Sequence, residues 1–358
     1  MTLALALVLA AALAVATALH FLYWGRRLAA PTREDEVVRA ATGDGWTLAL
    51  GRRKPRASPR RPPVLLVHGI AMNRQAFDFG VERWSMAAFL ARAGFDCFAL
   101  DLRGAGGSRR GPSRRWDVDT YLREDVPAAL DAIRAATGED EVLWVGHSLG
   151  ALLGMAACAV HGPRIRALVA LAPPAGFRSL RGLGRWLGFV RRLGAGLSLR
   201  TVARIAAPFS GFWQPAPLEM SIRLRNVERS VFRRLHANAV EDLQPGVLDQ
   251  LALFFREGAF RSVDGSVDYG ALQGGCRQPA LFVSAPRDGL APPFAVKAAF
   301  DAWGGPRRLL ECGEEYGHTD MLLGRGAPED VFPRIRSFLI ENSEPGEEGG
   351  VEGTSPRA

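Results

Sequence analysis

The chain has 358 residues, of which 48% are hydrophobic and 23% charged, a balance typical of a globular protein with a large core. Its formal net charge is +8, supplied almost entirely by arginine, since Lys54 and Lys297 are the only lysines. No known nucleic-acid-binding motif and no basic stripe interleaved with aromatic residues is present, which argues against a nucleic-acid partner. Arginine-rich ranges of this kind fit a solvated or membrane-facing surface better.

Residues 1–25 are predicted to form a transmembrane anchor or a signal segment. Residues 2–24 carry no charged side chain and are long enough to cross a bilayer as a helix. The range ends with the aromatic pair Tyr23 and Trp24, and Arg26 and Arg27 come after it, a pattern typical of an anchor at the membrane interface. A cleaved signal peptide is the alternative, but no Lys or Arg precedes the apolar run. The sequence favours an uncleaved anchor with the following domain in the cytoplasm; cleavage would instead place that domain in the periplasm or outside the cell.

Residues 36–342 are predicted to form one α/β domain, because short apolar strands alternate with helices of ordinary length. This pattern indicates a mostly parallel sheet buried on both faces and flanked by helices. The predicted strands are 46–50, 64–67, 95–100, 142–145, 167–171, 280–284 and 308–312. The predicted helices are 83–93, 120–137, 149–160, 292–303 and 328–341, with Asp119 as a possible N-cap of the second.

The alternation is interrupted at two places. Residues about 175–268 show helical periodicity around 184–207 and 221–239, which predicts an inserted helical cap or lid. Residues 343–358 are rich in Glu, Gly, Ser and Pro and are predicted to be a disordered tail. A basic, proline-rich loop is predicted at 52–63.

The segment Gly146-His147-Ser148-Leu149-Gly150 stands between a predicted strand and a predicted helix. Small residues on both sides of a serine allow a sharp turn that lifts the hydroxyl out of the sheet, as a nucleophile requires. Ser148 is therefore the candidate nucleophile. An idle serine in a glycine-rich turn is the alternative interpretation.

A serine nucleophile needs a base, and the base needs an orienting carboxylate. Asp288 follows the predicted strand 280–284, and His318 follows the last predicted strand. Both would lie with Ser148 at the carboxyl edge of a parallel sheet, where α/β sheets bind ligands. His68 is expected to shape its loop and His147 to point elsewhere. Asp288 remains open to interpretation as a simple turn residue.

An oxyanion intermediate also needs backbone N–H donors. Leu149, directly after the serine, is one candidate. Ile70, in the loop after the predicted strand 64–67, is the second, with Ala71 as its alternative. The four cysteines include no CxxC pair, and neither a metal site nor a disulfide framework is expected.

These motifs together resemble the α/β-hydrolase superfamily over residues 36–341. The matching pieces are VLLVHGI, DLRGAGGS, GHSLG, PRDGLAPP and EEYGHTDMLLG. The region before the serine and the Tyr316–Asp320 segment look like those of acid lipases. The Tyr-Gly-His run also resembles polyhydroxyalkanoate synthases, which carry a cysteine where this chain has Ser148. Ser148 likewise departs from the aspartate nucleophiles of epoxide hydrolases and haloalkane dehalogenases.

The resemblance implies a cofactor-free acyl hydrolase with a lid and does not fix the substrate. The leading hypothesis is a serine hydrolase of the esterase or lipase kind, acting on a small-molecule ester or lipid-like substrate through an acyl-enzyme. Thioesterase, amidase, carbon–carbon hydrolase and acyltransferase chemistry on the same triad remain open, as does a non-catalytic binding protein that keeps the fold. Aromatic residues among the arginines of the cap suggest an interfacial surface, although packing on the core would explain them equally well: Trp186, Phe189, Phe209, Phe212 and Trp213.

Overall fold

A computed structural model describes residues 2–108, 111–180, 198–214 and 219–343, together with residues 182, 184 and 188. Eight strands form one sheet in the order β1-β2-β4-β3-β5-β6-β7-β8. The strands are β1 Glu36–Ala41, β2 Thr47–Arg53, β3 Arg61–Val67, β4 Phe95–Asp101, β5 Val142–His147, β6 Ile165–Leu171, β7 Ala280–Ser284 and β8 Arg307–Glu311. Pairing is antiparallel on both sides of β2 and parallel from β4 to β8.

Helices flank this sheet, which confirms the predicted fold class. Those of seven residues or more in the described part of the chain are α1 Thr2–Arg27, α2 Met86–Arg92, α3 Val126–Thr137, α4 Leu149–Val160, α5 Leu199–Ala206, α6 Arg229–Asn238, α7 Pro245–Glu257, α8 Pro293–Ala302 and α9 Phe332–Glu341. Shorter helical segments are Val118–Thr120, a π-turn at Tyr121–Asp125, Tyr269–Leu272, Asp320–Leu323 and Ala327–Asp330.

The core lies at the centre of the sheet, where β5 is buried along its whole length. The small residues of α4 let that helix pack directly on β5 and β6, and Trp144 of β5 donates from Nε1 to the Gly150 carbonyl at 3.1 Å. Each fully buried large apolar side chain in this layer contributes about 1.5–3 kcal/mol. The packing therefore fixes the junction between β5 and α4, where Ser148 lies.

Several element boundaries differ from the sequence prediction. β1 was not predicted, and Arg52 and Arg53 lie in β2 rather than in the basic loop. Arg52 is tolerated there because its guanidinium binds Asp96 of the neighbouring strand at 2.6 Å and 2.9 Å. The predicted helix 328–341 is two segments interrupted at Val331, two residues before Pro333, which lacks a backbone N–H to continue the helix.

The predicted N-cap Asp119 is also wrong. Asp117 caps this region, in a reciprocal capping box with Thr120. Asp119 is buried and accepts hydrogen bonds from the Gln250 amide at 2.7 Å and the Tyr269 hydroxyl at 3.0 Å. It thus ties the segment before α3 to residues that follow β6, an arrangement that local sequence does not reveal.

The chain between β6 and β7 contains α5, α6 and α7. The first two fall within the predicted helical ranges 184–207 and 221–239, whereas α7 was not predicted. Trp186 and Phe189, and residues 344–358 of the predicted tail, lie outside the described residues.

The N-terminal helix α1 includes a candidate membrane span, Leu3–Arg27, with a mean hydropathy of 2.4 over its most apolar 18-residue window. None of that window is buried against the rest of the protein. A signal sequence has the same position and composition.

Candidate active site

Ser148 occupies a strained turn between β5 and α4. Its φ of 55° and ψ of −114° are unusual for a residue with a side chain, and its N–H donates to the Leu171 carbonyl at 2.8 Å. Glycine is needed on both sides, since a Cβ at Gly146 would overlap the Gly150 carbonyl and one at Gly150 would overlap the Val67 carbonyl. The Gly-x-Ser-x-Gly spacing is therefore the sequence that this backbone requires.

Asp288 and His318 meet at the carboxyl edge of the sheet. His318 Nδ1 lies 2.7 Å from Asp288 Oδ2, and both side chains are almost completely buried. The other carboxylate oxygen of Asp288 accepts the N–H groups of Leu290 at 2.8 Å and Ala291 at 2.7 Å. These bonds fix the carboxylate, which accepts from Nδ1–H and so leaves Nε2 of His318 as the basic nitrogen.

Ser148 itself forms no side-chain hydrogen bond within the described residues. Such bonds are often long in unliganded sites and tighten when substrate binds. Ser148 lies beside Gly69, where an added Cβ would stand 3.1 Å from the Ser148 Cβ. The strand end that carries the serine and the loop after β3 are thus in close contact.

His147 is one of the residues whose place at the site the sequence interpretation missed. It does not point away from the site: its Nε2 lies 3.0 Å from the His318 carbonyl oxygen, and the two rings have centroids 4.6 Å apart. Its Nδ1 is buried with no partner in the described part of the chain. Burial, and secondarily the neighbouring His318, lowers the pKa of His147 to about 3, so the ring is neutral and carries its proton on Nε2.

The two predicted oxyanion donors, Ile70 and Leu149, line the same small cavity of about 20 Å³. Neither backbone N–H donates to another described residue. His68 shapes this loop as expected: Nδ1 donates to the Gly69 carbonyl at 2.8 Å, and Nε2 accepts the Leu102 N–H at 3.2 Å. Burial lowers the pKa of His68, which keeps it in this neutral form.

The loop that carries Ile70 is held by residues from between β6 and β7. Glu241 is buried and accepts from the Asn73 amide at 2.9 Å and the Gly106 N–H at 3.1 Å, and its own N–H donates to the Ala71 carbonyl at 2.9 Å. Met72 forms an antiparallel bridge with Val240. The position of the Ile70 amide therefore depends on the segment between β6 and β7, where the sequence predicts a cap.

The loop that carries His318 is held in a similar way by Asp320. The buried Asp320 carboxylate accepts from the Gly317 N–H at 2.9 Å, the Arg223 N–H at 3.1 Å and the Asn226 amide at 3.1 Å. It thus joins the His318 loop to the segment before α6. Its place two residues after His318 was the only sequence signal.

No three His, Cys, Asp or Glu side chains are grouped to hold a metal ion within the described ranges. The four cysteines are unpaired, and burial raises the pKa of Cys276 to about 11 and that of Cys312 to about 12. Neither of these two thiols has the lowered pKa of a nucleophilic cysteine.

Residues 62–324 match the family model of the alpha/beta hydrolase fold. The chain belongs to this family. Among similar proteins, human gastric triacylglycerol lipase is 31% identical over 184 residues, which is 47% of this chain and 44% of the lipase. Triacylglycerol lipase 2 of Arabidopsis thaliana is 33% identical over 159 residues, 40% of this chain and 37% of that protein. The match thus spans less than half the length of these relatives.

Solved structures share the fold of this chain at low sequence identity. A hydrolase from Pseudomonas aeruginosa PA01 superposes with a TM-score of 0.59 at 19% identity, covering 86% of this chain and 97% of that one. A thermophilic esterase from Thermogutta terrifontis superposes with a TM-score of 0.58 at 19% identity, covering 86% and 100%. The likeness in fold therefore extends over almost the whole of those two chains.

Proposed function

We propose that this α/β hydrolase is a serine hydrolase that cleaves carboxylic esters, including lipid-like ones. The observation that carries the proposal is the buried hydrogen bond between His318 and Asp288 at the same sheet edge as the strained Ser148 turn. The similarity of this chain to triacylglycerol lipases supports ester or lipid substrates.

In the proposed reaction, the Ser148 hydroxyl attacks the ester carbonyl while His318 Nε2 takes its proton. The Leu149 and Ile70 amides stabilise the oxyanion, and Asp288 stabilises the imidazolium that forms. Collapse of the intermediate expels the alcohol, which receives the proton from His318 and leaves an acyl-Ser148 ester. Water, deprotonated by His318, then attacks this ester, releases the acid and restores the serine. The reaction needs no cofactor.

The direct test is Ser148→Ala, compared with Ser179→Ala as a control serine in the loop after β6. Loss of a triad nucleophile costs on the order of 10⁴-fold or more in kcat. We expect the S148A protein to stop hydrolysing p-nitrophenyl butyrate and to lose labelling by a fluorophosphonate, with S179A unchanged. Hydrolysis by S148A at the parent rate would refute the assignment. A matched panel of ester, thioester and amide substrates decides the acyl chemistry.

We also propose that α1 anchors the protein in a membrane. Large apolar side chains along it, including Leu3 and Leu13, face outward from the protein, which is costly in water. Arg26 and Arg27 lie in the last turn of α1, and the positive-inside preference would place the domain in the cytoplasm. Carbonate extraction of membranes tests whether the chain is embedded, with a variant lacking residues 2–22 as the control. The intact mass of the extracted chain tests whether the segment is still attached. Release of the full-length chain into the soluble fraction, or a mass lacking the segment, would reject it.

A further inference from the structure

A cavity of about 350 Å³ lies where the end of α1 meets α6. Its lining residues are Trp24, Arg27, Leu28, Ser230, Arg233 and Arg234. We propose that this cavity binds the phosphate headgroup of an anionic phospholipid. The inference rests on the membrane anchoring proposed above and is independent of the chemistry at Ser148.

The charge of the cavity is the first argument. Three of its six lining residues are arginines and none is acidic. Within the described residues, none of Arg27, Arg233 and Arg234 forms an ion pair. Glu228, just before α6, pairs with Arg83 at 3.7 Å instead. Arginines grouped without a counter-charge repel one another, and an anion shared between them removes that cost.

The chemistry of these side chains favours phosphate. Guanidinium groups donate several N–H bonds in a fixed plane that matches phosphate oxygens. The Nε of Arg233 is buried and has no hydrogen-bond partner in the described part of the chain. The Arg233 guanidinium lies over the Trp24 ring, 5.2 Å from its centroid, an arrangement that orients the group while leaving its N–H edges available.

The position of the cavity along α1, relative to the membrane, favours a lipid as the source of the phosphate. His20 of α1 contacts the cap, with Nε2 3.3 Å from the Ile205 carbonyl and its ring stacked on Phe209. Phe209 is 68% exposed, so the cap presents an exposed aromatic side chain beside His20 of the span. Arg27 lies seven residues further along the helix, about 10 Å at 1.5 Å per residue. Each headgroup layer is about 5–8 Å thick. With the edge of the hydrocarbon layer set at His20, where the cap meets α1, Arg27 would lie among or just beyond the lipid phosphates.

The cavity is held in shape by Asn238 at the end of α6. Its amide donates to the Leu28 carbonyl at 2.9 Å and accepts the Ala30 N–H at 3.4 Å. Leu28 is buried, and Gly80 packs so closely on Ala30 that a Cβ would overlap the Ala30 backbone. The end of α1 is thus fixed against α6, and the site is formed by the folded protein rather than by a loose tail.

The test uses the full chain in detergent and native mass spectrometry with added phosphatidylglycerol or phosphatidylcholine of the same acyl chains. We expect one phosphatidylglycerol to be retained per chain, about 10-fold or more in preference to phosphatidylcholine. The double variant R233Q/R234Q should lose that preference, and R27Q should weaken it. The control R134Q/R308Q removes two exposed arginines elsewhere and should keep it. Equal retention of both lipids, or an unchanged preference in R233Q/R234Q, would overturn the proposal.

Three further readouts distinguish a lipid from inorganic phosphate, detect loss of the anchor, and report on folding. Inorganic phosphate should not displace the lipid at equal concentration, because it lacks the acyl chains; displacement would refute a lipid ligand. The intact mass in the same spectra reports whether residues 1–27 are present, so loss of the anchor is recognised separately. Turnover of p-nitrophenyl acetate should be the same in R233Q/R234Q and the parent, which shows that the variant is folded and that lipid retention and ester hydrolysis are independent.

Discussion

His147 and His318 are joined by a hydrogen bond of 3.0 Å from the Nε2 of the first to the backbone carbonyl of the second. His147 ends β5 and directly precedes Ser148, so this bond ties the serine turn to the loop of the candidate base. His318 is held from its other side by Asp288. Its imidazole is therefore positioned through both its backbone and its ring.

This relationship predicts different effects for two substitutions of His147. His147→Phe keeps an aromatic ring but loses the donor, and displacement of His318 by about 1 Å is expected to lower kcat about 10-fold to 100-fold. His147→Gln keeps an N–H donor and should retain most of the activity. Steady-state kinetics on p-nitrophenyl butyrate measures both, with KM expected to change little. Equal losses in H147F and H147Q would mean that the hydrogen bond is not what positions the base.

The neutral, buried state of His147 predicts a loss of stability in acid. Its pKa is about 3 in the folded protein, against about 6.5 in the unfolded chain. Above about pH 6.5 neither state is protonated, and the group has no effect. Below that value His147 binds a proton in the unfolded chain but not in the folded state. The free energy of unfolding therefore falls until the pH reaches about 3.

At about pH 5 this amounts to about 2 kcal/mol. Thermal melting at about pH 7 and pH 5 measures it, and H147Q should show a smaller drop in Tm than the parent. Burial lowers the pKa of His68 and His236 as well, so part of the drop should remain. An identical drop in H147Q and the parent would contradict the assignment to His147.

The helices and strands at the centre of the fold could be predicted from sequence, because local runs of residues determine them. The bounds of α4 and β7 match their predictions. β7 is a short, mainly apolar run buried along its length, with Pro279 just before it and Pro286 just after it. α4 begins directly after Ser148 and ends two residues before Gly162. The edge of the sheet was not accessible in this way. β1 is only partly buried, and Arg52 in β2 reads as loop until its partner Asp96 on β4 is known.

The residues of the candidate site likewise fall into two groups: those marked by local sequence and those placed only by tertiary contacts. Ser148, Asp288 and His318 could be proposed from sequence because each follows a strand in a recognisable order. His147 acts through a residue 171 positions away, and Glu241 braces the Ile70 loop from the cap. Their chemistry is not unusual in sequence, and only tertiary structure brings them to the site.

The hydrogen bond between Asp288 and His318 predicts a large effect for an isosteric change. In Asp288→Asn, the amide oxygen is expected to remain on the Leu290 and Ala291 N–H groups, which turns the amide NH₂ toward Nδ1 of His318. That nitrogen must then be unprotonated, so Nε2 carries the proton and can no longer accept one from Ser148. We expect kcat to fall about 10³-fold to 10⁴-fold with little change in Tm.

The matched control for this substitution is Asp301→Asn, which removes an exposed carboxylate paired with Lys297 on α8. Exposed pairs of this kind contribute about 0–1 kcal/mol, so both kcat and Tm should stay near the parent values. A D288N protein with parent-like kcat would remove Asp288 from the proposed triad.

The close packing at the serine turn predicts that Gly150→Ala is harmful although alanine normally favours a helix. Gly150 is in the first turn of α4, where the exchange alone would stabilise by about 1 kcal/mol. A Cβ at this position would overlap the Val67 carbonyl, and the backbone of β3 and α4 must separate to admit it. Overpacking of this kind costs about 1–3 kcal/mol.

For G150A we expect a Tm several degrees below that of the parent. We also expect a lower kcat, because the same shift moves the Leu149 amide and the loop that carries Ile70. Gly274→Ala serves as the control, since an added Cβ there meets no atom within 4 Å. Its Tm should equal or slightly exceed that of the parent. If G150A and G274A melted and turned over alike, the contact between α4 and β3 would have no part in shaping the site.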